Sequence, residues 1–128
     1  MRRDITAEKA YTFALKCIQI YRWLSESKKE FVLSKQMLRS CTSIGANVSE
    51  AKYAQSRADF LSKMSIALKE ARESLYWISL LGDSGYITLE ERKTMRSECL
   101  ELIRLLTSII KTTKSNILKK GGRLVSDS

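Results

Sequence analysis

The chain contains no proline in 128 residues and only five glycines. Proline breaks a helix interior and glycine loosens one, so little in this chain forces a turn. Long helices are the expected outcome. The length suits one domain with one hydrophobic core. Apolar residues make up 44% and charged residues 29%, the balance of a globular chain rather than a disordered one.

A second absence bears on function. There is no histidine. Ser-His-Asp and Cys-His nucleophile activation both need an imidazole, and so do His-containing zinc sites. Helical RNases that use an Arg-His pair are excluded on the same ground. The three cysteines, Cys17, Cys41 and Cys99, are too widely spaced for a disulfide framework or a metal cluster. Each falls on an apolar helix face and reads as a plain buried thiol. No stretch of about 18 apolar residues exists to span a membrane. The opening Met1-Arg2-Arg3-Asp4 leads straight into an amphipathic pattern, unlike a signal peptide, so a cytoplasmic location is expected.

Hydrophobic periodicity predicts four helices. The first runs from about Thr6 to Ser25, with Ala7, Ala10, Ala14, Cys17, Tyr21 and Leu24 at steps of three and four. Phe13 and Ile18 lie outside that seam and widen it. The second starts with Ser34 as N-cap and ends near Gln55, burying Leu38, Cys41, Ile44 or Gly45, Val48 and Ala51. Its middle is rich in small residues that form helices poorly. Gly45 alone costs about 1 kcal/mol relative to alanine, so close approach of another helix, in the same chain or a partner, is expected to compensate. Ser56-Arg57-Ala58-Asp59 is a capping-box variant that opens the third helix, with Gly82 as its stop near Leu81. Phe60, Met64, Ala67, Ala71, Leu75 and Ile78 line its inner face. Asp59 with Lys63, and Lys69 with Glu73, are expected surface pairs. Thr88-Leu89-Glu90-Glu91 is a regular capping box for the fourth helix, whose stripe is Met95, Cys99, Leu102, Leu106, Ile109 and Thr113. That helix is expected to reach Lys120 and stop at Gly121-Gly122. The predicted organisation is a bundle over residues 1–120 and a flexible polar tail over 121–128. Short connections and near-heptad spacing point to an all-α, up-down-up-down, left-handed four-helix bundle.

The charge is lopsided. There are 23 basic and 14 acidic residues, a net +9, and such an excess attracts polyanions. From Leu102 to Ser126 there are six basic residues and no acidic one: Arg104, Lys111, Lys114, Lys119, Lys120 and Arg123. Arg104, Lys111 and Lys114 fall on one side, away from the apolar stripe. Leu118 interrupts that line, and Lys119 and Lys120 point elsewhere near the helix end. These six are the candidate nucleic-acid-binding residues. The bland alternative is a solvated face whose lysines complement the helix dipole. Trp23, Trp77, Tyr76 and Tyr86 are candidates for stacking, although aromatics at helical spacing usually serve the core.

Phe31, Leu33, Gln36 and Arg39, then Ser43-Ile44-Gly45-Ala46-Asn47-Val48-Ser49-Glu50-Ala51, Ser56-Arg57 and Asp59-Phe60 carry a resemblance, as do Met64-Ser65-Ile66-Ala67-Leu68-Lys69-Glu70-Ala71, Glu73-Ser74 and Tyr76-Trp77. The pattern resembles the four-helix-bundle proteins encoded by intervening sequences of bacterial large-subunit ribosomal RNA. The accessory variability determinant proteins of diversity-generating retroelements are related to them. The resemblance implies a ring-like homopentamer with a basic surface suited to RNA or DNA, and in the retroelement relatives a reverse transcriptase as partner. Position 51, often glycine in the family, is Ala51 here. Ser43, Gly45, Asn47 and Glu50 are candidates for a structural or assembly role. Asn47 and Glu50 share a helix face, which also suits a local hydrogen bond within the helix.

Three functions compete. The first is a non-enzymatic, nucleic-acid-associated homo-oligomer acting through its basic surface. The second is a protein-interaction scaffold or accessory subunit. The third is an enzyme with a carboxylate or metal site at Glu50, Glu70 and Glu73. Ferritin-like sites use Glu-x-x-His pairs, which this chain lacks, so no catalytic residue, cofactor or metal is expected.

Overall fold

The computed structural model describes the backbone of residues 3–126 and the side chains of residues 3–119. The chain forms four helices: α1 (Ile5–Ser27), α2 (Leu33–Ala51), α3 (Arg57–Asp83) and α4 (Leu89–Ser126). Each packs on its neighbour in sequence, and α4 closes back onto α1, making a four-helix bundle. The α1–α4 contact is the sparsest of the four. No helix is long and apolar enough, among the described residues, to cross a membrane.

The core follows the predicted stripes and is wider than they are. Ala10, Cys17, Leu24, Cys41, Ile44, Ala67, Ala71, Ile78, Cys99 and Leu106 are fully enclosed. Phe13, set outside the narrow seam, is buried with them. Sequence reasoning missed Met37, Ser34, Ser40 and Ser74, which are also fully buried. The polar ones have partners: Ser74 Oγ lies 2.9 Å from Ser40 Oγ and 2.8 Å from the Glu70 carbonyl oxygen, and its single proton serves one of the two at a time. All three cysteines are free and buried. Cys99 Sγ donates to the Ala71 carbonyl, and burial pushes its thiol up to about 12, far from reactivity.

Local chemistry sets most helix ends. Asp4 caps α1 through the Ala7 N–H at 2.9 Å. Ser56 caps α3 through the Asp59 N–H, while Asp59 accepts the N–H of Gln55. At α4 the capping box is complete: Thr88 Oγ1 takes the Glu91 N–H, and Glu91 takes the Thr88 N–H. Six expectations need correcting. Ser34 is not the cap of α2 but lies in its first turn. The N-cap position is Val32, and the capping side chain is that of Glu30, whose carboxylate accepts the N–H groups of Val32, Leu33 and Ser34 at 3.2, 3.1 and 2.8 Å. Burial alone would raise the Glu30 carboxyl, but those three amides outweigh it and hold the group below its ordinary value.

The other corrections concern lengths, glycines and surface pairs. α2 ends at Ala51, not Gln55, and the chain turns there through the Tyr53-to-Glu50 and Ala54-to-Ala51 backbone bonds. Gly82 does not stop α3. It is buried inside the helix beneath the Arg92 side chain, where a Cβ would fall 2.2 Å from Arg92 Cδ. The left-handed stop is Gly85, at φ 83°, with Tyr86 N–H bonded to the Leu81 carbonyl and Gly85 N–H to that of Gly82. At the far end, α4 continues through Gly121-Gly122 to Ser126. Glycine lowers helix propensity but ends a helix only where it turns left-handed. Finally, neither expected surface pair forms. Lys63 reaches Glu50 of α2 at 3.1 Å instead, and Glu73 is taken by Arg39.

Candidate nucleic-acid interface

Two sets of charged residues face opposite fates. The first lies between α2 and α3. Arg39 of α2 binds Glu70 and Glu73 of α3, at 3.2 and 2.5 Å. Trp77 Nε1 donates to the same Glu73 at 3.2 Å, and Tyr76 packs edge-on against Trp77. The Arg39 hydrogen bond holds the Glu73 carboxyl below its ordinary value, against the opposing effect of burial. Glu50, Glu70 and Glu73 therefore do not converge. One faces Lys63 and the other two share Arg39. Among the described residues no group of three or more metal-ligating side chains comes together.

The second set is on α4. The first half of this helix is neutralised by α1: Lys9 pairs with Glu101 and Lys16 with Glu98. Past Glu101 the acidic partners run out. Arg104, Lys111, Lys114 and Lys119 are all exposed, and none takes part in an ion pair among the described residues. α4 is unbroken through this region, and Lys119 lies about 80° round the axis from Lys111 and about 140° from Lys114, apart from the basic line. The side chains of Lys120 and Arg123 lie outside the described residues. The aromatic candidates do not join this surface. Trp23 sits on α1 beneath Lys28, Tyr76 and Trp77 on α3, and Tyr86 in the α3–α4 turn.

The assembly candidates sit on α2. Ser43 Oγ donates to the Arg39 carbonyl and Asn47 Nδ2 to the Ser43 carbonyl, both within the helix. Gly45 faces Ala10 of α1, but a Cβ there would meet Ala10 at 3.7 Å, an ordinary contact. Packing within this chain therefore does not require glycine. Beside it, Ala7, Tyr11, Ala14, Thr42, Ala46 and Ser49 line a shallow groove of about 290 Å³. A larger open groove of about 910 Å³ separates α1 from α4, with Ile5, Tyr11, Lys16, Glu98 and Glu101 on its walls. Sequence reasoning missed Arg39, Glu30 and both grooves. The only hint was the placing of Arg39 and Glu70-x-x-Glu73 on helices expected to pack together.

Fold and charge together define a small basic four-helix bundle whose longest helix carries a run of exposed cations with no carboxylate beside them in the chain from Leu102 to Ser126. The chain belongs to the 23S rRNA-intervening sequence protein family, which matches it over residues 3–108. It is similar to the crystal structure of a protein of unknown function from the S23 ribosomal protein family of Bacteroides thetaiotaomicron VPI-5482. The two share 50% identity at a TM-score of 0.82, covering 84% of this chain and 99% of that one. Among curated proteins none matches.

Proposed function

We propose that this protein is a non-enzymatic, nucleic-acid-associated homo-oligomer of the cytoplasm, acting through the outer face of α4. One observation carries the reading: four exposed cations without ion-pair partners, on a stretch that has no carboxylate from Leu102 to Ser126. In this reading the bundle is up-down-up-down and left-handed. Copies assemble in a ring, taken as a homopentamer, so that weak contacts from several α4 faces add as avidity. Ser43, Gly45, Asn47 and Glu50 serve packing or assembly.

Salt-titrated shift assays with RNA and DNA, run beside native mass spectrometry, test it. Binding that falls steeply with salt, by an oligomer, supports the reading. Affinity that does not change with salt, or a monomer that binds neither polymer, overturns it. The α1–α4 groove favours a second reading, a scaffold or accessory subunit whose partner is a reverse transcriptase or another protein. Its walls carry Ile5 and Tyr11, which are 46% and 67% exposed. A stable protein complex with no nucleic-acid shift selects that reading.

A further inference from the structure

Resting on the nucleic-acid reading above, we propose that the far part of α4 is a groove-reading helix for double-helical DNA. α4 has 38 residues against 23 in α1, so at about 1.5 Å per residue it is longer by roughly 20 Å. The last ion pair from α1 to α4 is Lys9 to Glu101, and the family match stops at residue 108. Ile110 is the last buried residue among those whose side chains are described. Beyond it the helix is exposed over most of its circumference.

The exposed residues are arranged in a way that suits a groove. Thr112, Ser115, Asn116 and Lys119 stand at i, i+3, i+4 and i+7, which is one helix face, and all four are exposed. Lys111 borders that face on one side, while Lys114 lies on the far side of the helix. Short hydroxyl and amide side chains are the groups that read base edges, and asparagine fits adenine with two hydrogen bonds. Lys119 within the face and Lys111 at its edge supply the positive charge that a phosphate backbone attracts. The nucleic-acid form follows from two further observations. α4 carries no aromatic residue from Leu89 to Ser126, so it offers no platform on which single-stranded bases stack. A helix about 10–12 Å across fits the major groove of B-form DNA, about 12 Å wide, whereas the A-form groove of duplex RNA is too narrow.

The test uses the full-length protein and fluorescence anisotropy, with one sequence presented as duplex DNA, duplex RNA and single-stranded DNA over a range of salt. Duplex DNA is expected to bind at least about tenfold tighter than the other two. Lys111→Gln and Lys119→Gln together should flatten the log–log salt slope by about two. Thr112→Ala, Ser115→Ala and Asn116→Ala together should leave that slope unchanged while weakening duplex DNA binding severalfold. The lysine variant should leave the thermal melt unaltered and the alanine variant should melt no lower than wild type, which confirms that each variant is folded. If duplex RNA or the single strand binds as well as duplex DNA, groove reading is wrong while nucleic-acid association stands. If the lysine variant keeps the wild-type slope, the surface is not on α4. If none of the three probes binds even at low salt, both readings fall.

Discussion

Arg39 and Lys114 are both cations on helices of the same bundle, and they are used in opposite ways. Arg39 spans from α2 to two carboxylates of α3, and its neighbours Ser40 and Ser74 close a buried hydrogen bond below it. Lys114 is exposed and forms no ion pair among the described residues. The residues by which the family is recognised, Arg39, Glu70, Glu73, Ser74 and Trp77 among them, belong to the first region. Arg39 ties α2 to Glu70 and Glu73 of α3 and Ser40 meets Ser74 across the same seam, while Trp77 bonds Glu73 within α3. A recognisable signature in this chain therefore reports on how the fold closes. Most of the carboxylate-free stretch of α4, from Ile109 onward, lies where the family match has ended.

The sharpest way to break this comparison is to reverse charge on α4. Lys111→Glu with Lys114→Glu is expected to weaken nucleic-acid binding by about a hundredfold or more, since two attractions become two repulsions. The thermal midpoint should move by no more than about 1 °C, because neither side chain packs on anything. Anisotropy and a melting curve on the same sample check both halves. A large loss of stability would mean that the α4 lysines are structural after all, and the contrast between the two regions would disappear.

Next in size is the removal of the Glu30 cap. Glu30→Ala leaves the N–H groups of Val32, Leu33 and Ser34 without their acceptor, and should cost about 2 kcal/mol in denaturant unfolding. The pH dependence gives a second check. The folded state holds this carboxyl below its ordinary value near 4.5. Its stabilisation is therefore fully present above that value and is lost as pH falls through the lowered folded value. Wild type and variant should differ most at neutral pH and converge in acid. A constant difference across pH would assign the cost to packing instead.

These residues also show which parts of the structure sequence reasoning reaches. Capping at Ser56 and Thr88 was legible because donor and acceptor lie three residues apart in the chain. Ser34 was mistaken for a cap because serine is the commoner cap residue, and the actual acceptor, Glu30, sits four residues earlier. Gly82 was mistaken for a stop because glycine serves close approach and left-handed turns alike, and only coordinates show Arg92 lying over it. Arg39, Glu70 and Glu73 were invisible as a unit because their association depends on how two helices meet. The run of cations on α4 was plain in the sequence. That Glu98 and Glu101 neutralise α1 rather than that run was not.

A smaller loss is expected from Arg39→Ala. The arginine is about half exposed, so solvent screens its pairs and the cost should be about 1 kcal/mol rather than that of a buried ion pair. Nucleic-acid affinity should stay within about twofold of wild type. Glu73 is held below its ordinary value chiefly by Arg39, so this contribution too is present at neutral pH and fades as pH falls through the folded value. A variant that binds nucleic acid much more weakly, at unchanged stability, would move Arg39 from the seam to the binding surface.

The smallest effect separates packing within one chain from packing between copies. Alanine at position 45 would place its methyl 3.7 Å from Ala10, in ordinary contact, so the bundle can hold it. Helix propensity alone then favours Gly45→Ala by about 0.5–1 kcal/mol, enough to raise the melting midpoint by roughly 3 °C. Thr42, Gly45, Ala46 and Ser49 also line the shallow groove beside α1, where a neighbouring subunit would be the one element with reason to exclude a methyl. Size-exclusion light scattering on Gly45→Ala therefore reads what the melt does not. A more stable protein with unchanged mass makes the glycine dispensable to fold and assembly alike. A more stable protein that dissociates would show that α2 keeps its poor helix formers for contact with another copy, and would divide the family signature between the seam and the assembly.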